Sequence, residues 1–230
     1  MNKFFNLLVF LLLSFVIFSG CTSTRINQEK QFLQGIIYDY NSEPVSGAEI
    51  FLLESDSDKP AKNVAFSDIT GHFSINSIKN YKEYTLIAKK NGYEDSSLQF
   101  LLTNSSQIIY LRMYSYNQLL SLAEEKVALK DYDTAEIYIK RAEAVGGSSL
   151  SYTYLLAVIN YLRENYNEAL LYCENLINQG FNNSYIYLLL ADIHENGFGD
   201  KEKTILYLAK YLKQNYNPEV EKRLNNLNNH

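Results

Sequence analysis

The chain has 230 residues, enough for two small domains or one large one. Its formal net charge is −5 and no basic stretch stands out, which argues against a nucleic-acid partner. Tryptophan is absent and tyrosine is abundant at 20 residues, beside many Asn, Lys and Ile, so a single Tyr or Asn is weak evidence for a site.

The first predicted element is an export signal. Met1-Asn2-Lys3 makes a short charged head, residues 4–18 make an apolar run of about 15 residues, and Ser19-Gly20-Cys21 closes it before Thr22-Ser23-Thr24. Ser19-Gly20-Cys21 resembles the lipobox of bacterial lipoproteins, where Leu usually stands at the place of Phe18. The resemblance implies cleavage before Cys21 and acylation of its thiol and new amino terminus, with palmitate among the chains. It also implies a place in the cell envelope, lipid-anchored to a bacterial membrane. An uncleaved N-terminal anchor is the alternative, although the run is shorter than the roughly 20 residues a spanning helix prefers. Residues 1–20 are thus expected to be the signal peptide and residues 21–31 a polar leash. A lipid on Cys21 leaves Cys173 with no partner for an intramolecular disulfide, so that thiol should be buried.

Residues 32–113 follow the grammar of strands. Gly35-Ile36-Ile37-Tyr38, Ala48-Glu49-Ile50-Phe51-Leu52, His72-Phe73-Ser74-Ile75, Tyr84-Thr85-Leu86-Ile87-Ala88 and Gln107-Ile108-Ile109-Tyr110-Leu111 are short alternating segments. Turn signals separate them at Pro44, Gly47, Thr70-Gly71 and Asn91-Gly92. Period-two alternation with turns every 8–12 residues predicts a small antiparallel β-sandwich. Ile50, Phe73, Ile75 and Leu86 should point into its core. Gly71 should supply positive φ in a tight hairpin, with Asp68 bonding nearby backbone amides.

Several motifs in this stretch add to that reading. They are Gly35-x-Ile37-x-Asp39, Pro44-Val45-Ser46-Gly47-Ala48-Glu49-Ile50, Ser67-Asp68-Ile69-Thr70-Gly71-His72-Phe73, Tyr84-Thr85-Leu86 and Gly92-Tyr93. Together they resemble the carboxypeptidase regulatory-like domain, a prealbumin-like (transthyretin-like) sandwich. The resemblance implies an accessory or spacer module without a catalytic group.

From residue 116 the apolar spacing becomes three and four, which predicts amphipathic helices. The joint at residues 113–117 is too short for a flexible linker, so the two parts should touch. Leu122-Ala123, Leu156-Ala157 and Leu190-Ala191 recur at 34-residue intervals, as do Ala135 and Ala169, and Tyr132 and Tyr166. The third unit departs: Gly197-Phe198-Gly199-Asp200 stands at its turn, one residue is inserted, and Thr204 replaces the alanine. The period and these residues resemble the tetratricopeptide repeat (TPR), a pair of antiparallel helices per unit. That implies an all-α TPR solenoid over residues 116–228, with repeats at about 116–149, 150–183 and 184–217 and a capping helix at 219–227. The fold class expected is therefore multidomain, a β-sandwich followed by three helix pairs and a cap, with the β module covering the first repeat.

By repeat position the resemblance implies a partner-binding groove along the first helix of each pair. It would be lined by Leu120, Glu124 and Val127, then Tyr154, Val158 and Tyr161, then Leu188, Asp192 and Glu195, aromatic and aliphatic with an acidic end. Each tyrosine could equally cover the neighbouring repeat. Family members that clamp a C-terminal carboxylate use Lys, Arg and Asn on this face, and that set is missing, which excludes that ligand class.

Chemistry is not visible. No His-Glu-x-x-His, Cys-x-x-Cys, calcium loop, Gly-x-Ser-x-Gly or phosphate loop occurs. His194-Glu195 point about 100° apart on a helix and do not converge on an ion; His194 is expected at a solvated helix end. Asp56-Ser57-Asp58-Lys59 reads as a solvated loop. No enzyme activity, cofactor or metal is expected. The function expected is a membrane-anchored, non-catalytic adaptor or scaffold that binds a protein or peptide in the groove. The alternative is a structural subunit of an outer-membrane assembly or secretion complex.

Overall fold

The computed structural model describes residues 30–55, 62–104 and 106–229. The expected signal peptide, Cys21 and most of the leash lie outside the described residues, as does the loop of residues 56–59. A β region comes first, and a helical region follows.

The β region has seven strands among the described residues: β1 (Lys30–Asp39), β2 (Glu49–Glu54), β3 (Lys62–Phe66), β4 (His72–Lys79), β5 (Lys82–Lys89), β6 (Ser96–Leu102) and β7 (Ile108–Met113). They form two sheets, β4-β1-β7 and β3-β2-β5-β6. Odd positions of β1 (Leu33, Ile37) and alternate positions of β4 and β7 point inward, where they meet Ile50 and Leu86 of the second sheet in one buried cluster. Full burial of a side chain such as Leu86 contributes about 1.5–3 kcal/mol. The four residues expected in the core are all there.

The sheets are not purely antiparallel. β1 and β7 run parallel, with Gly35 opposite Ile109 and Ile37 opposite Leu111. First and last strands of the region can pair this way because the whole intervening chain serves as the crossover that a parallel pair requires. Two strands, β3 and β6, carry no expected counterpart. β3 is exposed at four of its five positions and β6 is buried only at Leu102, so neither has the alternation that marks a half-buried strand. β1 also begins two residues earlier than expected, inside the predicted leash.

Two glycines are required by geometry. At Gly71, φ is +76° and a Cβ would lie 2.3 Å from the carbonyl oxygen of Ile37. The turn around it is held by Asp68, whose carboxylate accepts from the amides of Thr70 (2.8 Å) and His72 (3.0 Å). At Gly35, the ring of Phe73 packs where a Cβ would be, within 2.2 Å. Ser67 stitches the turn before β2: its hydroxyl donates to the carbonyl of Val45 and accepts from the amide of Ala48.

Seven α-helices follow: α1 (Tyr116–Ala128), α2 (Tyr132–Val145), α3 (Ser149–Leu162), α4 (Tyr166–Asn178), α5 (Tyr185–Ile193), α6 (Lys201–Leu212) and α7 (Pro218–Asn228). α1 packs on α2, α3 on α4 and α5 on α6, and α7 lies against α6. Ala123 and Ala135 share one buried cluster, Ala157 and Ala169 the next; Ala191 and Thr204 are likewise fully buried. Thr204 satisfies its hydroxyl inside the helix by donating to the carbonyl of Asp200 at 2.7 Å. The one-residue insertion of the third unit has a physical form. α5 passes into a π-helical turn, His194–Phe198, which accommodates one extra residue before Gly199 ends it at φ +65°.

The two regions touch, as the short joint predicts. Ser115 caps α1 in a reciprocal capping box with Gln118, worth about 1 kcal/mol. The Gln118 side chain has a second role, since its Nε2 donates to Asp39 of β1 at 2.5 Å. Arg141 of α2 binds both carboxylate oxygens of Glu94 at 2.9 and 2.7 Å and lies over the rings of Tyr114 and Tyr138. The first helix pair therefore abuts the β region directly.

Candidate functional site

The residues expected to line a groove lie on α1, α3, α5 and the π-helical turn, and α3 touches both α1 and α5. The structure brings them into three unequal groups. Leu120 is buried among Leu119, Ala123 and Ile139, with Val127 packed on the same cluster, whereas Glu124 is exposed. Tyr154 and Val158 pack half-buried on the cluster that holds Cys173, and the Tyr154 ring lies 5.6 Å from that of Phe181. Leu188 packs on the cluster of Ala191, Leu208 and Tyr211. In these groups the apolar side chains mostly join neighbouring helices.

The third group is different. Tyr161, Asp192 and Glu195 converge with two residues that the sequence reading did not place there, Asn196 and Arg223. The Asn196 amide donates to the Tyr161 hydroxyl at 2.8 Å. Arg223 of α7 reaches Asp192 at 2.7 Å and Glu195 at 3.0 Å through its Nε. Burial works against the charge on Arg223, but the hydrogen bonds to Glu195 and Asp192 outweigh it and hold the guanidinium above its ordinary value. Burial pushes the Tyr161 hydroxyl up, partly offset by the Asn196 hydrogen bond. The acidic end of the expected groove is thus paired within the chain, one guanidinium to two carboxylates. Repeat arithmetic contains the missing signal: one 34-residue period plus the one-residue insertion beyond Leu188 falls on Arg223.

Cys173 is fully buried on α4, and burial, with Glu174 nearby, pushes its thiol up to about 12. The expected inert, buried thiol is what the structure contains. His194 departs from expectation: it is buried, not solvated. Its ring stacks on Tyr207 at 5.5 Å and faces Phe198 at 5.6 Å. Its Nδ1 has no hydrogen-bond partner and stands 3.9 Å from the Asp200 carboxylate. His194 is the first residue of the π-helical turn, and that turn packs against α6. Burial depresses the His194 pKa, as does Lys203, against the opposing pull of Asp200 and Glu174.

A cleft of about 610 Å³ lies at the joint, between the β5–β6 connection and the end of α2. Its charges are largely spent on each other: Lys89 pairs with Asp95, Glu94 with Arg141, and Lys90 sits over Tyr93. Among the described residues no three His, Cys, Asp or Glu side chains gather in a way that could hold a metal ion. Among them, too, no helix is long and apolar enough to cross a membrane.

No protein family and no curated protein matches this chain. Solved structures resemble parts of it. The N-terminal domain of stress-induced protein-1 from C. elegans is 14% identical over 49% of this chain and 94% of its own, with a TM-score of 0.39. The major pilin subunit BcpA of Bacillus cereus is 18% identical over 37% of this chain and 28% of its own, at 0.30. The 3-chlorocatechol 1,2-dioxygenase of Rhodococcus opacus is 8% identical over 37% of this chain and 60% of its own, at 0.29.

Proposed function

We propose that this chain is a lipid-anchored, non-catalytic protein of the bacterial cell envelope that binds another protein through its helical region. On this reading Cys21 carries the acyl chains, the β region is a spacer akin to the carboxypeptidase regulatory-like sandwich, and the helices are a TPR solenoid. The observation that carries the reading is the coincidence of sequence period and packing. Each 34-residue unit holds one helix pair, with a fully buried small residue on both helices of every pair. Arrays built that way expose an extended surface along their first helices, suited to a polypeptide ligand.

The test is positional. A photo-crosslinking residue at Glu124 or Ser121, both exposed on α1, should trap a partner in cells. The same residue at Leu171 or Ile137, exposed on second helices, should not. Equal capture from both sets would sink the groove. Charge placed at Tyr154 or Tyr161 is a poorer test, because both are half-buried and their loss would disturb packing.

One observation favours the second reading, a structural subunit of an outer-membrane assembly or secretion complex. Asp192 and Glu195 are already committed to Arg223, which leaves less of the surface free for exchangeable peptides. Stable co-purification of the full-length protein with an integral membrane protein would support this reading; transient binding of peptides alone would count against it.

A further inference from the structure

The outer face of the sheet β4-β1-β7 is an apolar surface that no other described element covers. Even positions of β1 and β7 point outward in register, Gln34 opposite Ile108 and Ile36 opposite Tyr110. Phe32, Ile108 and Tyr110 are 44%, 46% and 55% exposed, and Phe66, at the end of β3, is 61% exposed. Phe66, Ile36 and Ile108 surround a depression of about 300 Å³, together with Gln34, His72 and Ser74. Apolar groups grouped around one depression on a sheet face need an occupant in a way that scattered ones do not.

We infer that this face rests on the membrane surface to which the chain is anchored. The inference depends on the anchor at Cys21 proposed above. Eight residues separate Cys21 from Lys30, the first residue of β1. Fully extended, that tether reaches about 30 Å. Phe32 lies two residues into β1, so this face begins next to the end of the tether and lies within its reach of the lipid. Its chemistry suits the headgroup boundary. Phe supplies apolar area, Tyr110 adds a ring with a polar tip, and such aromatic residues favour the water–lipid interface.

Charge points the same way. The chain carries a net charge of −5, yet no Asp or Glu stands among the outward positions of the three strands. Arg112 projects there instead, over the ring of Tyr38 at 5.0 Å. Asp68 borders the depression, but its carboxylate is occupied by Thr70 and His72 in its own turn. Lys79 at the end of β4 is exposed on the same side, so an anionic lipid surface meets cations and no free carboxylate on this face.

The absence of tryptophan makes the test clean. Tyr110→Trp gives the acylated, full-length protein a single reporter; Phe32→Trp is the second variant should the first misfold. Each is placed in vesicles of phosphatidylethanolamine and phosphatidylglycerol, with and without brominated acyl chains. Emission should move to shorter wavelength on vesicles and be strongly quenched by the brominated lipid. Leu171→Trp, on α4, should show neither effect. Unshifted, unquenched emission from a vesicle-bound protein whose Cys21 carries fatty acid by mass spectrometry overturns this inference alone. Absence of that fatty acid refutes the anchor, and this inference with it. A shift that grows with protein concentration without vesicles assigns the face to a second copy of the chain and also overturns it.

Discussion

The two regions of this molecule bury their apolar side chains in opposite ways. The β region has one core, to which Leu33 near its start and Met113 at its end both contribute. The helical region has three successive clusters, each built from neighbouring helices. A single core makes each β residue depend on contacts distant in sequence. A serial core spreads stability along the chain as a sum of neighbouring units, and leaves the last unit the most exposed to fraying.

Four substitutions and one reagent would break or sharpen this contrast. The largest effect should come from Leu86→Ala, which hollows the single β core at a fully buried site. A loss of about 3 kcal/mol is expected in denaturant titration, concentrated in the β region. A loss shared equally by the far helices would show that the two cores are one cooperative unit. Arg141→Ala comes next, since it removes both the bidentate pair with Glu94 and the contacts with two tyrosine rings. It should cost about 1–2 kcal/mol and separate the unfolding of the two regions, visible as a divergence of near- and far-ultraviolet dichroism curves.

Arg223→Ala should act more locally. It releases Asp192 and Glu195 and weakens α7 by about 1 kcal/mol. Amide exchange should quicken in α7 and the π-helical turn while β1 and β5 stay protected. If exchange in α7 were unchanged, the pair would be a surface contact of no consequence.

His194 offers a pH-dependent test. Its pKa in the folded chain is lowered from 6.5, chiefly by burial, so the folded state favours the neutral ring. That contribution is complete above the unfolded value and is lost as pH falls through the lower folded value. The denaturation midpoint of the helical region should therefore drop as pH falls below 6.5, and drop less in His194→Gln. Equal slopes would assign the effect to other groups. The smallest perturbation is chemical: Cys173, with its thiol pushed up to about 12, should ignore a thiol reagent at neutral pH until the chain is denatured. Rapid labelling of the folded protein would mean that α4 opens readily.

Local signals were legible to the extent that their causes are local. Asp68 and Gly71 declare their turn because the bonds and the positive φ lie within five residues. Ala123, Ala157 and Ala191 declare the helix pairs because close approach of two helices needs a small side chain at a fixed interval. β3 and β6 were not legible because so few of their side chains are buried that no alternation is imposed: none of β3 and only Leu102 of β6. The expected groove was half legible. Its positions follow from the period, but whether Tyr154 or Tyr161 faces solvent depends on Phe181 and Asn196, which arrive from other helices.

What the sequence determined by itself was therefore the order of a β region before a helical one, the 34-residue unit, the turns and the burial of Cys173. Each rests on residue type and spacing, which act over a few turns of chain. Only the tertiary structure decided that β7 runs parallel to β1, that Arg223 pairs with Asp192 and Glu195, that His194 is buried in a π-helical turn, and that no other described element covers one sheet face. These depend on which distant segments meet, and the free energy of such meetings resides in contacts between elements, where no local pattern records it.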